Sequence, residues 1–586
     1  MEICLDLLRE WCEKLLELQI HGTGQPTIDG GILCPACARV HGRCFDAIYP
    51  FLYLADRDGD QRYLEAAKQL FEWAEHTVSR EDGSYINDTS GPWKGTTVFS
   101  VIQLVEALKY HGHLLEPDVY CRWKDRVKKA ADFLRDFEEF EVCNVNYRIT
   151  NSLAMLLCGE FYADDSYMQR SQELAEMAGQ CFSESGLLIG EGRPVDGYSK
   201  KHCRPVDIGY NMEESLPSFT QYAFYTGDKK KKAMTCKALR AHLSFMLEDG
   251  GIDNSFGTRN YKWTYWGSRT SDGCLFAYLM ASQEEPEFAV GAWRNLKLLR
   301  ACTEEGLLYS GPHMREKGEL SCVHHSFSHA KVLAMILEHG LESRLCDGIL
   351  PREKMKTPRY WEELDTFLIP GDGWTATVTG YDWEYLNLKG GHASGGTLSL
   401  LHDQEAGLIL AAGMSSYSLK EPANMQLPRF SGHECITPRL EIQSEGIWYS
   451  SMYDNNCRMK GEEIENGYRI KVKGRMVDLN QNEQKDGDYE TEYLFYSRQI
   501  CVHAKTKKNV TFVLPVISQK REYVTQDDGN VWIEKEKKTI QITANKGVLE
   551  LPYGINTRIY NLVPGVEALK ITIKEENGEI DFSMLF

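Results

Sequence analysis

The feature that most constrains this chain is a spacing. Ahead of residue 345, five short polar breaks interrupt apolar helical stretches, at Asp60, Asp118, Asp165, Asp228 and Glu285. They recur at roughly 47 to 63 residues, the length of one helical hairpin with its loops. Between them lie longer loops rich in aromatic, acidic and basic side chains. Short turns on one rim and long decorated loops on the other describe a ring of helices with its chemistry at one mouth.

The first hairpin sets the template. Arg39 to about Ala55 reads as one helix and Asp60 to about Thr77 as the next, with Tyr63, Ala67, Leu70, Phe71 and Ala74 on one apolar stripe. The join DRDGD is a tight turn in which glycine supplies the special backbone angles. Helices that follow long loops begin near residues 39, 97, 147, 211, 270 and 323, and five more follow the short joins. The N-terminal segment, with Leu5, Leu8, Trp11, Leu15 and Leu18 at helical spacing, adds a twelfth. Six inner and six outer helices close an (α/α)6 toroid over residues 1–345. An open helical solenoid would carry similar loops on both rims, and the loops here are unequal. After a connector at 346–365 the pattern changes to short β stretches such as TATVTGYDW, YRIKVKGRM and NVTFVLPVI, bounded by Gly, Asn and Asp. They predict an antiparallel β-sandwich over 366–586.

A formal net charge of −19 argues against nucleic-acid binding, which needs a basic face. It leaves room for an anionic small substrate, because a local cluster of Arg and Lys inverts the field inside one cleft. No apolar run reaches the roughly 20 residues of a membrane span. The first residues are an acidic amphipathic helix rather than a signal peptide, and eighteen cysteines suggest a reducing compartment. The cytoplasm is the expected location, or the periplasm if a leader has been removed.

Four chemical groups populate the long loops. Aromatics include Trp93, Tyr147, Tyr198, Tyr210, Tyr261, Trp263, Tyr265 and Trp266, whose faces suit the C–H surface of a sugar ring or simply pack loops together. Cations are Arg43, Lys94, Arg148, Arg193, Arg259, Lys262 and Arg269, suited to a carboxylate ligand or to loop-bracing ion pairs. Carboxylates include Asp88, Glu191, Asp196, Asp207, Glu213, Glu214, Asp253 and Asp272. Glu213 and Glu214 fall in the first turn of a predicted helix, where only one of two neighbours can point into the ring. Histidines are His41, His313, His324, His325 and His329. The run Cys34, Cys37, His41, Cys44 has the look of a zinc-ligand set. Its last two members share a predicted helix turn, however, so reduced buried cysteines and no metal are expected.

These residues resemble known families. The order toroid then sandwich is similar to the heparinase II/III-like and chondroitin-lyase-like polysaccharide lyases, and LKGGHASGGTLSLLHD (388–403) resembles the histidine-bearing strand that opens their sandwich, with His392 in the matching place. CPACARVHGRC and WKGTTVF resemble glycoside hydrolase family 154, gut-bacterial β-glucuronidases of the same architecture. That resemblance implies an exo-acting hydrolase releasing a terminal glucuronic acid. Glu213 and Asp88 are then expected as the acid/base carboxylates with Glu191 in reserve. Arg43, Lys94, Arg193 or Arg269 would hold the sugar carboxylate, and Trp93, Tyr210, Tyr261 and Tyr265 would offer stacking faces. His325 and His392 are further expected substrate contacts. The alternative is a lyase cleaving at a uronic acid by β-elimination, using His41, Tyr265, Arg269 and Asn151. A third reading is a glycan-binding protein without turnover. No cofactor is expected; the partner is a uronate-bearing oligosaccharide or glucuronide, and self-association is left open.

Overall fold

The structure is a computed structural model of the 586-residue chain and describes all residues except 1, 90, 142, 193–194, 416–425, 427–432 and 508. Six helices line the inside of a ring: α2 (Ile48–Asp58), α4 (Thr97–His111), α6 (Val145–Tyr162), α9 (Leu216–Thr226), α11 (Leu275–Ala281) and α13 (Val323–Glu338). Each packs on the next, and α13 packs back on α2, so the ring closes. Their outer partners are α3 (Gln61–Thr77), α5 (Pro117–Asp136), α7 (Asp165–Gly179), α10 (Lys229–Leu243) and α12 (Glu287–Ala301), with α1 (Ile3–Glu17) against α13. The toroid expected from the spacing is present.

The two layers differ as their positions require. Outer helices carry one buried stripe: in α3 it includes Tyr63, Ala67, Leu70, Phe71 and Ala74. Inner helices are buried nearly all round, polar side chains included, as in α6 from Asn146 to Ser152. Buried polar groups need partners, so a ring with a polar lining is a ring built to hold something. The short joins work by capping. Asp60 accepts from Arg62 N at 2.9 Å and Asp228 from Lys231 N at 3.0 Å. At the third join the cap is Asp164, one residue before the expected Asp165. The first inner helix starts later than expected, because Gly42–Ala47 form a 3-10 turn ahead of α2.

Past Arg359 the chain is antiparallel β. One sheet has the order β11-β10-β9-β8-β7, from β7 (Arg359–Trp361), β8 (Thr366–Pro370), β9 (Trp374–Thr379), β10 (Thr397–Asp403) and β11 (Gly407–Ala411). In it Thr397 faces Thr379 and Asp403 faces Trp374, with a one-residue slip between Leu398 and Leu400. The other sheet holds fourteen strands among the described residues between Arg439 and Leu585. Phe367, Ile369, Val378 and Leu401 of the first share one apolar core with Ile470, Val502, Ile542 and Ile571 of the second. This is the expected sandwich.

The sandwich is fastened to the ring. Arg352 of the connector pairs with Asp253 at 2.8 Å and donates to Thr377 Oγ1 of the sandwich at 2.6 Å, His313 Nδ1 accepts from Glu567 N at 3.0 Å, and Arg269 Nη2 donates to Leu562 O at 2.6 Å. The segment 381–396, between β9 and β10, reaches over the mouth. Tyr381 OH donates to Arg204 O at 2.6 Å, and both ring nitrogens of His392 lie against backbone carbonyls, of Trp383 at 2.8 Å and Ala393 at 3.0 Å.

Candidate active site

At the mouth, one loop carries the centre of the polar lining. Asp207 caps the one-turn helix α8 (Ile208–Tyr210), its Oδ1 accepting from Tyr210 N at 2.8 Å and Asn254 Nδ2 at 3.0 Å. Its Oδ2 accepts from Arg259 N at 2.7 Å. A side chain on Gly257 would meet Asn254 Oδ1 at 2.2 Å and Asp207 Oδ2 at 2.7 Å, so only glycine lets this loop close. The closure places the Arg259 guanidinium 4.2 Å from the centre of the Tyr210 ring, with Lys262 Nζ 5.1 Å from the same ring.

Around this pair stand four further groups. Glu191 pairs with Arg259 at 3.1 Å and accepts from Asn146 N at 3.3 Å. It is fully buried, and burial pushes it up to about 7, with Arg259 pulling the other way. The Asn146 amide is buried at the start of α6, with neither its oxygen nor its nitrogen partnered among the described residues. Tyr385, from the sandwich, accepts from Asn144 Nδ2 at 3.1 Å, and its ring lies 5.8 Å from that of Tyr261. Trp93 Nε1 donates to Tyr147 OH at 2.8 Å. Burial raises the Tyr210 phenol well above its ordinary value, so it rests protonated, while Arg259 opposes the shift.

His324 faces the same field of charge. Its Nε2 is buried without a partner among the described residues. Burial, then the Arg43 charge, drives its imidazole well below the ordinary range, so it is neutral.

The residues expected to act as a hydrolase are engaged elsewhere. Asn211–Ser215 form a π-helical turn ahead of α9, and both Glu213 and Glu214 are buried. A π turn inserts an extra residue and opens the helix at functional places. Glu213 accepts from Ser271 Oγ at 3.2 Å and Cys274 N at 3.2 Å and meets His329 Nε2 at 3.3 Å. Glu214 accepts from Asp272 N at 3.1 Å, and burial and then the Asp272 charge raise it well above the carboxylate range. Asp88 is buried, with Arg39 at 3.7 Å. Glu213 thereby ties the loop at 271–274 to the start of α9.

The expected carboxylate holders lie in these contacts. Arg43 is paired with Asp46 at 2.6 Å and Asp272 at 3.0 Å, and Lys331 reaches Asp272 at 2.6 Å. Lys94 pairs with Asp82 on the surface. Arg193 lies outside the described residues. Tyr265 and Arg269 do not share a helix: the segment is a hairpin of β3 (Trp263–Thr264) and β4 (Gly267–Ser268). Tyr265 OH donates to Asp249 at 2.7 Å, and Arg269 turns to the sandwich. Asn151 donates to Leu134 O at 3.1 Å inside the helix layer, and His325 Nδ1 lies 3.2 Å from Leu308 O. His41 Nε2 lies 3.4 Å from Cys322 Sγ. Among the described residues, Cys34, Cys37, His41 and Cys322 are a group able to hold a metal ion. Of the expected residues, the structure gathers Tyr210, Tyr261, Glu191 and Trp93 with its mouth lining. It adds Arg259 and Lys262, visible in sequence as mouth cations, and Asn146 and Tyr385, for which sequence offered no sign.

Two family models match the chain: the ulvan lyase N-terminal domain over residues 8–353 and the ulvan lyase C-terminal domain over residues 358–585. A Formosa agariphila protein described as a broad-specificity ulvan lyase is 36% identical over 584 residues, covering 97% of this chain and 91% of the relative. Among solved structures, a Streptomyces coelicolor chondroitin AC lyase in complex with chondroitin sulphate aligns with TM-score 0.52 at 10% identity, covering 100% of this chain and 79% of that one. A heparan sulfate lyase HepC mutant from Pedobacter heparinus aligns with TM-score 0.50 at 11% identity, covering 99% and 82%. At such identities these two show the fold alone. The family models and the relative overturn the expected place in glycoside hydrolase family 154, and with it the expected glucuronidase.

Proposed function

The chain belongs to the ulvan lyase family, and from that premise we propose that it is a polysaccharide lyase cleaving an ulvan-type polysaccharide next to a uronic acid by β-elimination. The observation that carries the reading is the Tyr210 ring with the charges of Arg259 and Lys262 4.2 Å and 5.1 Å from its centre, and the Asn146 amide, without partners among the described residues, on the far side of Glu191 from Arg259.

Elimination needs three things: the uronate charge offset so that the C5 proton becomes acidic, a base for that proton, and an acid for the leaving oxygen. Arg259, Lys262 and the Asn146 amide offset the carboxylate. His324 Nε2, buried and without a partner among the described residues, accepts the C5 proton. The C–H electron pair becomes the C4–C5 double bond, and the C4–O4 pair leaves with oxygen. Tyr210, resting as a phenol, gives that oxygen its proton. The proton on His324 then returns to the tyrosinate through solvent. No water is consumed.

The test is ultraviolet absorbance of the conjugated unsaturated uronate during incubation with ulvan. A rise in the wild type and none in Tyr210→Phe supports the reading. Chain cleavage by reducing-end assay without that absorbance would overturn it.

A further inference from the structure

The sequence run Cys34, Cys37, His41, Cys44 is rearranged by the fold. Cys34 and Cys37 sit on a tight knuckle between β1 (Leu33–Cys34) and β2 (Arg39–Val40), in which Ala38 takes a positive φ of 52° and its N–H returns to Cys34 O at 2.9 Å. His41 precedes the 3-10 turn. Cys44 is not part of the group. The fourth donor is Cys322, which precedes α13, 281 residues beyond His41. The four donor atoms lie within 4.8 Å of one another, and all four residues are buried.

The separations are those of a coordination shell. Sulfur ligands placed tetrahedrally about 2.3 Å from one zinc ion stand about 3.8 Å apart, and a nitrogen at about 2.0 Å stands about 3.5 Å from each sulfur. Here Cys34 Sγ and Cys322 Sγ are 3.7 Å apart, Cys37 Sγ and Cys322 Sγ 4.0 Å, and Cys322 Sγ and His41 Nε2 3.4 Å. None of the cysteines is in a disulfide. Three thiols and an imidazole packed together in a buried place have donors but few acceptors, a poor arrangement without a cation to bind. A closed set of three cysteines and one histidine, with no position left for water, is a structural rather than a catalytic shell.

We propose that Cys34, Cys37, His41 and Cys322 bind one structural zinc ion. The ion ties the N-terminal knuckle to the last inner helix, across the seam where the ring closes. It also sets two neighbours of the mouth: Arg43 follows His41 by two residues, and His324 follows Cys322 by two. Removing it therefore loosens the seam and misplaces the mouth together.

The 586-residue protein, purified under reducing conditions without chelator, is assayed for metal by mass spectrometry, and its zinc shell is read by X-ray absorption. The expected result is about one zinc per chain with three sulfur ligands near 2.3 Å and one nitrogen. Cys322→Ser and Cys34→Ser are each expected to lose most of that zinc and to melt earlier. If the variants do not fold, Co(II) added to chelator-stripped wild type gives the second reading, with thiolate-to-metal bands expected. Wild-type protein that carries no zinc, and develops no thiolate bands with Co(II), would overturn the proposal. So would a shell without sulfur, or zinc retained in both variants.

Discussion

Glu191→Gln isolates the electrostatics of the mouth. Glu191 is fully buried, held by Arg259 at 3.1 Å, Asn146 N at 3.3 Å and Ser215 Oγ at 3.4 Å. Burial raises it from the ordinary 4.5 to about 7 in spite of Arg259. The folded state thus holds a proton that the unfolded chain has already released between those values. Stability contributed by that proton is fully present below pH 4.5 and is lost as pH rises through about 7. The gap corresponds to roughly 3 kcal/mol. A glutamine of the same shape has no proton to lose. Urea denaturation of wild type and variant across that window should show the wild type losing about 3 kcal/mol relative to the variant as pH climbs, whatever other groups titrate in both. A wild-type-minus-variant difference that stays flat from pH 4.5 to pH 8 would refute the reasoning.

Three further outcomes are expected. Tyr210→Phe should lower kcat by about 10²–10⁴ with little change in KM, since only the proton transfer is removed; equal loss in a substrate-binding titration would count against it. Lys331→Met should cost about 1–3 kcal/mol in chemical denaturation, because Asp272 loses its 2.6 Å partner in a half-buried cluster and keeps Arg43. An unchanged midpoint would show that the cluster is wetter than its burial implies. In Gly267→Ala the new methyl would lie 2.2 Å from the Glu213 carboxyl carbon, so the loop clamp must shift. A loss of about 1–3 kcal/mol is expected, read as a lower Tm.

How much of this was legible in sequence follows from what is local. The hairpin rhythm is local, carried by caps such as Asp60 and Asp228, and it yields the ring. β periodicity is local too, and it yields the sandwich. The mouth is not local. Glu213 and Glu214 look like helix-start acids; in the fold they lie buried in a π turn, and Glu213 is taken up by the loop at 271–274. Cys322 completes a cluster begun at Cys34 because the ring closes, and sequence alone offered Cys44 in its place. Tyr385 belongs to the other domain by sequence and to the mouth in space. Asn146 reads as one more polar residue at a helix start, two positions after Asn144. Hydrolysis and elimination at a uronate call for the same kinds of side chain, so residue types alone did not separate them; the family matches did.

The central claim is elimination, and the fate of water oxygen tests it most directly. Ulvan is digested in heavy-oxygen water and the new ends are weighed by mass spectrometry. The account predicts fragments that sum to the parent, with an unsaturated uronate at one end and no solvent oxygen fixed during cleavage. Fragments heavier than the parent by one water per cut, carrying the heavy oxygen from the moment of cleavage, would contradict it.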